Sequence, residues 1–519
     1  MTSAKNSLLK KTLEFGLPTF LSRVLGLVRE YLQARILGVG VMSDAFVAAF
    51  KFPNSLRKIF AEGALTGAFV PTVVSLLKAD GKKSVDDLMT LSFIVFEGIL
   101  LVLCLIVFCC PLFFVKMIAP GFSAEQVACA VPFLRILISF ILFVSSSALL
   151  ACALQSVDHF FVPAFAPVVL NMFFIAGLFA CQWWGLSLTY LCIFIVAGGV
   201  AAFLFHLIVY LAYHFSFGTI KAQTWVNFRG LLKKFIPSML GMSVVELNLF
   251  LDSAVSSFLK SGSYTLIYYG YRFMGIPLGV FSVAFSSILL PHFSRVSLYA
   301  PKRLNFYLLE AAKFVFWVTV PVAVFMSFFA EKIFVTLIVS KKFPIDRVPE
   351  SAGILIAFLV GLFFLSINKI LLNIFYSLHD TKAPTYTSII ATAVNFVGNI
   401  VLMQFFTTIG IATATTISGI VQTGMLLYFL RVRYNFVLYW RYFFDFFVRF
   451  MLQLSLVSLL FAGCYVAMLA ALYAYVPTYA SALINGAALW LWLLPLVLLS
   501  FLALYMTRKW FGLRMYFLD

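Results

Sequence analysis

Long apolar segments separated by short polar breaks follow one another along almost the whole chain. A helix needs about 20 apolar residues to cross a bilayer, and these segments reach that length. Taking the polar breaks as helix ends predicts fourteen membrane helices joined by short connections. The predicted spans are 11–38, 43–77, 86–118, 125–154, 160–183, 187–214, 229–260, 264–297, 303–339, 349–377, 384–407, 409–432, 442–474 and 482–508. These connections leave no room for a catalytic domain outside the membrane, which argues against an enzyme.

The composition supports an all-α membrane protein. Apolar residues make up 63% of the 519 residues and charged residues 11%, whereas a soluble domain has about 25% charged residues. The net charge is +18, and Lys and Arg gather at every second connection. Since basic residues favour the cytoplasmic side, this pattern predicts that both termini are cytoplasmic. The positive charge then reflects orientation and contact with anionic membrane lipids, and a nucleic acid partner is not expected.

The sequence also contains a weak internal repeat. Residues 64–71 end the second predicted helix, and residues 284–291 end the eighth with a similar pattern 220 positions later. The segments 158–163 and 379–384 match at nearly the same offset. Because both groups of six helices start from the same side, the repeat is parallel, as in many two-lobed transporters. The predicted domains are an N-lobe at 1–218, a C-lobe at 219–434 and two additional helices at 435–519.

The first predicted helix carries charges that a purely lipid-facing helix would not contain. A charged side chain at the bilayer centre costs at least about 2.5–3.5 kcal/mol, so such residues usually face a cavity and serve a function. Arg23, Arg29 and Glu30 fall along one stripe of this helix. Arg35 lies off the stripe near the outer end, where its side chain can extend to the membrane interface.

The second predicted helix has a polar face of its own. The residues that share this face are Asp44, Lys51, Ser55, Lys58 and Glu62. Arg57 lies about 100° to one side of it, and Pro53 bends the helix because proline lacks an N–H and clashes with the preceding turn. Arg272 in the eighth helix adds another cation. Cations exceed anions, so the sequence predicts a central cationic cavity.

Two interpretations of these charges stay open. Ion pairs within one helix, Arg23 with Glu30 or Lys58 with Glu62, would give some of them a purely structural role. Guanidinium groups, however, bind phosphate oxygens in a bidentate manner that lysine does not reproduce. Three converging arginines, Arg29, Arg57 and Arg272, would suit an anionic diphosphate headgroup.

Other charges are isolated along their helices, and we expect most of them to pair between helices. They are Glu97, Arg135, Glu246, Asp252, Glu310, Lys313 and Lys369. Asp252 and Asp380 are in addition candidate ligands of a cation site, together with Asn or Thr oxygens. The sequence indicates no cofactor, and the expected driving force is a coupled monovalent cation or the membrane potential.

Four blocks of sequence resemble the MurJ (MviN) family. The first is Ser22-Arg23-Val24-Leu25-Gly26-Leu27-Val28-Arg29-Glu30, continued by residues 34–38. The second runs from Asp44 through Pro53-Asn54 and Arg57-Lys58 to Pro71. The third comprises Tyr268-Tyr269, Arg272, Pro277 and Leu289-Leu290-Pro291, and the fourth comprises Phe375-Tyr376-Ser377-Leu378, Asp380-Thr381-Lys382 and Pro384. The resemblance therefore covers both predicted lobes.

The resemblance implies a flippase of the bacterial inner membrane. That family moves lipid II, an undecaprenyl-diphosphate that carries the peptidoglycan precursor, from the cytoplasmic to the periplasmic leaflet, and partners in peptidoglycan synthesis would follow. The family's functional arginines carry over to Arg23, Arg29, Arg57 and Arg272, and its second-helix acid to Asp44. Glu30, Lys51, Lys58 and Glu62 are further candidate cavity or gating charges. The last two helices are implied to form a groove for the lipid tail.

The chain departs from the family pattern in two places. Glu30 stands where Asp is familiar, and Tyr271 and Gly275 stand where acidic neighbours of Arg272 are often found. The alternatives are a flippase for another diphosphate-linked saccharide and a drug/cation antiporter of the same superfamily. An antiporter should offer acidic and aromatic groups to a cationic substrate, whereas this site has surplus arginine.

Overall fold

The fold was analysed in a computed structural model of the chain. The structure describes residues 2–60, 65–475, 477 and 483–518, with side chains from residue 16 onward except those at 241, 244 and 245. The chain is helical almost throughout the described residues. It divides into two compact units, Met1–Thr265 and Leu266–Asp519. This division does not test the predicted lobe boundaries at 218 and 434, which stay a prediction.

The first unit is a bundle of long helices. They are α1 (Thr2–Leu37), α2 (Val41–Arg57), α3 (Leu65–Ala79), α4 (Lys82–Cys109), α5 (Pro111–Ile118), α6 (Ala124–Leu137), α7 (Phe140–Ser156), α8 (Phe161–Trp183), α9 (Leu188–Ala212) and α10 (Ala222–Ser256).

The second unit has the same character. Its helices are α11 (Ser263–Pro277), whose first turn lies in the first unit, α12 (Ala284–Tyr299), α13 (Leu304–Phe328), α14 (Ala330–Ile333), α15 (Val348–Val360), α16 (Leu362–Ser377), α17 (Lys382–Tyr434), α18 (Trp440–Tyr475) and α19 (Leu489–Thr507). A π-helical turn at Leu278–Val283 joins α11 to α12.

The predicted class, an all-helical multi-pass membrane protein, is confirmed. Eleven helices in the described part of the chain are long and apolar enough to cross a membrane. Helices α1 and α10 are as long as these but carry more charged residues. Helix α17 has non-helical backbone angles at Thr407 (φ 49°), which is where the sequence predicts the break between spans 384–407 and 409–432.

Close packing in the first unit fixes α1 and α2 in place. Helix α8 packs against both α1 and α9, and the α8–α9 contact depends on small residues. A Cβ atom added at Gly177 would lie 2.8 Å from the Phe194 Cβ, so only glycine permits this approach. On the other side, Phe46 and Phe50 of α2 meet Phe174 of α8 edge to face, with ring centroids 6.1 and 5.7 Å apart.

Helix α2 changes geometry after its proline. Pro53 lies inside the helix, and residues 58–60 form a π-helical turn. A proline removes one backbone donor, and π turns commonly absorb such an interruption. The predicted bend is therefore accompanied by a local widening of the helix just after Arg57. Residues 61–64, which include the candidate Glu62, lie outside the described residues.

Candidate functional site

Arg29 is held on α1 by three contacts. Its NH2 group donates to the Glu30 carboxylate at 2.5 Å, and its NH1 group donates to Asn171 Oδ1 of α8 at 3.0 Å. The guanidinium carbon lies 5.1 Å from the centre of the Phe174 ring, a favourable cation–π distance. The side chain is 20% exposed. A planar cation is thus oriented and kept partly open.

The other candidate arginines differ in setting. Arg23 is exposed on α1. Arg57 is half-buried, and its Nε donates to Asn54 Oδ1 at 3.1 Å. Arg272 belongs to the second unit, is half-buried, and stacks 5.0 Å from the centre of the Tyr268 ring. None of these three residues is fully buried.

Lys51 of α2 is bound by α10. Its ammonium group donates to the Leu249 carbonyl and to Ser253 Oγ, and it lies 5.5 Å from the centre of the Phe250 ring. An ammonium group is expensive to place in a membrane, and these dipoles and the aromatic face compensate for part of that cost. The geometry gives Lys51 a role in joining α2 to α10.

Lys58 is joined to the same helix by an ion pair. Its Nζ lies 2.9 Å from Glu246 Oε1, and Ser55 donates to the other oxygen of Glu246 at 2.7 Å. The Glu246 side chain is only 9% exposed, so this pair is screened little by water. The pairing between helices expected for Glu246 is confirmed, and its partner is a candidate cavity residue.

Asp44 is buried, with 1% of its surface exposed. Its carboxylate accepts hydrogen bonds from Gly262 N at 2.6 Å, from Thr265 N at 2.9 Å, and from Thr265 Oγ1 at 2.6 Å. Gln126 Nε2 donates to it at 3.0 Å. The first N–H groups of a helix have no partner within that helix and favour a nearby negative charge. Asp44 therefore caps the start of α11 from α2.

Gly262 makes this close approach possible. Its φ is +93°, and an added Cβ would lie 2.4 Å from Val39 Cγ1. A side chain would both strain the backbone and collide with the turn that leads into α2. The same side of the unit holds a second close contact, in which Gly121 N donates to Ser257 Oγ at 2.8 Å. The connections before α6 and before α11 are therefore tied to each other and to α2.

Asp380, one of the two candidate ligands of a cation site, is bound by groups of its own unit. Asp380 accepts from the backbone N–H groups of Lys382 and Ala383 at 2.9 and 3.1 Å, from the Tyr434 hydroxyl at 3.0 Å, and from Arg433 at 3.4 Å. It caps α17 from the preceding loop. Asp252 lies in the other unit and is buried. Among the described residues no group of three or more His, Cys, Asp or Glu side chains could hold a metal ion.

The pKa of Asp380 is lowered from its ordinary value. Burial raises the pKa, but the hydrogen bonds from the α17 backbone and from Tyr434, together with the charge of Arg433, outweigh that effect. These donors favour the ionised carboxylate because each of them interacts more strongly with a negative oxygen. Asp380 is accordingly a structural anion at neutral pH.

The sequence did not predict two polar residues of this site, Asn171 and Gln126, or the partners of Glu246. Asn171 binds Arg29 and also donates to the Ser22 carbonyl at 3.1 Å. Gln126 binds Asp44 while its carbonyl accepts from Ser123 N at 3.0 Å. Glu246 holds Ser55 and Lys58. A polar side chain within an apolar helix is costly, so the position of Asn171 and Gln126 in apolar segments could have indicated a role. Their partners lie on other helices, which the pattern of a single helix does not reveal.

Comparison with known proteins identifies a family model. The model described as lipid II flippase MurJ matches residues 33–480 of this chain. A protein of Rhizobium tropici described as a probable lipid II flippase MurJ is 32% identical over 430 residues, which cover 80% of this chain and 79% of the relative. A lipid II flippase MurJ of Burkholderia cenocepacia is 30% identical over 423 residues, which cover 80% of this chain and 82% of the relative.

Solved structures of two related transporters are similar to this chain. A lipid II flippase MurJ in an inward closed conformation matches with a TM-score of 0.77 and 26% identity, covering 96% of this chain and 99% of that one. An inward-facing multidrug resistance transporter of the MATE family matches with a TM-score of 0.68 and 15% identity, covering 82% and 98% of the two chains. The second likeness concerns the fold alone.

Proposed function

This chain belongs to the MurJ family of lipid II flippases, and we propose that it moves lipid II from the cytoplasmic to the periplasmic leaflet of the bacterial inner membrane. The observation that carries the proposal is the family match over residues 33–480. The chain thereby acts in peptidoglycan synthesis as a transporter, and the enzymes of that process are its expected partners.

The arginines give the proposal a physical basis. Lipid II carries a diphosphate, and guanidinium groups bind phosphate oxygens through paired charge-assisted hydrogen bonds. Arg29 is oriented by Asn171 and Phe174 while part of its surface stays open. Arg23, Arg57 and Arg272 supply further cations, and Lys51, Glu30 and Glu62 belong to the same predicted cationic cavity. A diphosphate that displaces Glu30 from Arg29 would keep the guanidinium paired throughout.

The cycle proceeds by alternating access. Under the predicted orientation Asp44 lies at the periplasmic end of α2, and its hydrogen bonds to Gly262 and Thr265 hold that end closed. The ion pair between Lys58 and Glu246 holds α2 to α10 nearer the membrane centre. Opening toward the periplasm requires these contacts to break. These contacts are polar and few. A free-energy change of a few kcal/mol on substrate binding is therefore enough to shift the equilibrium between the inward-open and outward-open states.

The driving force we propose is the membrane potential, with a coupled monovalent cation as the alternative. An anion leaving a negative interior gains about 2.3 kcal/mol per charge per 100 mV. The emptied cavity carries net positive charge, so the same potential favours its return toward the cytoplasm. The membrane potential thus favours outward movement of the diphosphate in one half of the cycle and inward return of the arginines in the other.

The finer architecture is part of the proposal. Fourteen crossings place both termini in the cytoplasm, the first twelve form two parallel repeats of six, and residues 435–519 contain the last two. The kink at Thr407 supports two crossings within α17. The length of α1 and α10 supports one crossing for each of them despite their charges.

The lipid tail has a candidate groove in the second unit. Helices α13, α18 and α19 enclose an apolar cavity of about 160 Å³. Its lining includes Phe325, Phe329, Phe461, Val497 and Phe501. A polyisoprenyl chain is apolar and flexible, so burial in such a groove is favourable in proportion to the area covered. The cavity supports the tail site that the family resemblance implies for the last two helices.

The test is lipid II exposure in bacterial cells depleted of their own flippase. Cells that express this chain should regain surface-exposed lipid II, and cells that express the Arg29→Ala variant at the same membrane level should not. If the native chain fails to restore exposure while it is inserted in the membrane, the lipid II assignment is wrong, and other diphosphate-linked saccharides become the substrates to assay.

A further inference from the structure

Glu97 is an acidic side chain in the middle of a membrane helix. It is the sixteenth of the 28 residues of α4, and lies about 20 Å along the helix axis from either end. Both of its carboxylate oxygens are buried, and neither has a hydrogen-bond partner within bonding distance in the described part of the chain. The transport cycle proposed above makes no use of this residue.

Within the described residues, no cation interacts with Glu97. The hydroxyls of Ser145 and Ser146 on α7 lie near the carboxylate, and the Cys104 thiol lies two turns along α4. Helices α3, α5, α6, α7 and α10 all pack against α4. Among their described residues, no charged side chain interacts with the Glu97 carboxylate. The pairing between helices expected for Glu97 is therefore absent from the described residues.

A bare carboxylate in this position would be very costly. An unpaired ion in an apolar medium costs several kcal/mol even after relaxation. The cost falls if a proton adds to one carboxylate oxygen, because the group becomes neutral and its new O–H can donate to a serine hydroxyl. We propose that Glu97, together with Ser145 and Ser146, forms a proton-binding site in the first unit, and that this site is occupied at neutral pH.

A proton fits this site better than a metal ion does. The two carboxylate oxygens and two hydroxyls provide at most four oxygen atoms, and a hard cation such as Ca²⁺ or Mg²⁺ takes six or more oxygen ligands. Along α7, the apolar Val144 precedes this serine pair and Ser147 follows it. Ser147, whose hydroxyl could add a ligand, donates instead to the Phe143 carbonyl at 2.7 Å. The site therefore has the donors and acceptors for one proton and lacks those for a coordination shell.

Infrared spectroscopy of the purified full chain tests this directly, without lipid II. A protonated carboxyl group has a C=O stretching band that a carboxylate lacks. At neutral pH the wild-type chain should show a band that is lost in Glu97→Gln and retained in Glu125→Gln, which changes an exposed acid of the same unit. Equal bands in wild type and Glu97→Gln would overturn the proposal. A wild-type band that disappears in sodium buffer but persists in potassium buffer would also overturn it, in favour of a sodium site.

A second variant covers the case in which Glu97→Gln does not fold. In the Ser145→Ala, Ser146→Ala double variant Glu97 keeps its proton but loses the two hydroxyls with which the protonated carboxyl group would form hydrogen bonds. Its band should move to higher wavenumber, because hydrogen bonding weakens the C=O bond. An unchanged band position in a folded double variant would contradict the site as described. Since neither measurement uses lipid II, their failure is distinguishable from a failure of the flippase assignment.

Discussion

The Asp44 carboxylate accepts two hydrogen bonds from Thr265, one from its N–H at 2.9 Å and one from its hydroxyl at 2.6 Å. One acidic side chain of α2 thereby satisfies the first turn of α11. The bond from Gly262 N adds a third donor. A carboxylate is the only common side chain that accepts from all of these without presenting a donor of its own.

Asp44→Asn should therefore destabilise the fold. The amide nitrogen would face N–H donors, and a buried donor without an acceptor costs about 1–3 kcal/mol. We expect a lower free energy of unfolding for the purified variant and reduced lipid II exposure in cells. Asp80→Asn, which changes an exposed residue at the end of α3, is the control. Wild-type stability in Asp44→Asn would show that the cap contributes nothing.

The pair formed by Lys58 and Glu246 should show coupling in a double-mutant cycle. Replacing Glu246 by Gln leaves Lys58 without its counter-ion, and replacing Lys58 by Met leaves Glu246 buried and charged. Each single change should cost about 1–3 kcal/mol, and the double variant should cost less than the sum of the two. The measurement is the free energy of unfolding in detergent. Additive costs would mean that the 2.9 Å contact carries no interaction energy.

The helices were predictable from the sequence, whereas the partners of the charges were not. Apolar length and polar breaks report where a chain enters and leaves a membrane, so even the break at Thr407 fell where expected. Periodicity reports which residues share a face of one helix, but it contains no information about the facing helix. Within the described residues Lys58 pairs with Glu246, 188 residues away, a partner that the pattern of one helix does not indicate; the predicted pair with Glu62 lies outside the described residues.

In the candidate site, too, the charged residues were predictable from the sequence and their partners were not. The stripe on α1 and the polar face of α2 identified Arg29, Asp44, Lys51 and Lys58, because charges within a membrane are rare enough to stand out. Asp44 turned out to be a buried cap, since its three donors come from a turn more than 200 residues away along the chain. Hydrogen bonds from backbone groups far away along the chain leave no pattern of residues that a sequence could show.

Arg29→Lys separates charge from geometry. Lysine keeps the positive charge but cannot reach Glu30 and Asn171 at once or present a planar pair of donors to phosphate. Losing one charge-assisted hydrogen bond costs about 1.5–3 kcal/mol, so lipid II exposure should fall about tenfold or more. Arg35→Lys, at the exposed end of α1, should leave exposure unchanged. Full activity of Arg29→Lys would mean that charge alone suffices at this position.

Asp380 should make the stability of the chain depend on acid pH. Its pKa is lower in the folded chain than the ordinary value of 3.8, so the folded state binds this proton more weakly than the unfolded state does. The resulting stabilisation is present above pH 3.8 and is lost as the pH falls from there through the folded pKa. Asp380→Asn should be less stable at neutral pH and lose less stability in acid. Asp346→Asn, an exposed acid in the same unit, should follow the wild type.

The apolar cavity in the second unit gives the last prediction. Ala462 of α18 lines it together with Ser458 and Ser500, and none of these side chains fills the space of about 160 Å³. Ala462→Trp would place a large ring into the cavity and should exclude a polyisoprenyl tail. A photoreactive undecaprenyl-diphosphate should label the wild-type second unit, and the label should be lost in Ala462→Trp.

Leu460→Trp is the matched control for this experiment, because Leu460 lies two residues away on α18 and is 68% exposed. It introduces the same ring on a face that does not line the cavity, so labelling and lipid II exposure should stay at wild-type levels. Loss of lipid II exposure in Ala462→Trp alone would connect the groove to transport. Equal labelling of both variants would show that the tail binds elsewhere, since the tryptophan ring and the tail cannot occupy the same volume.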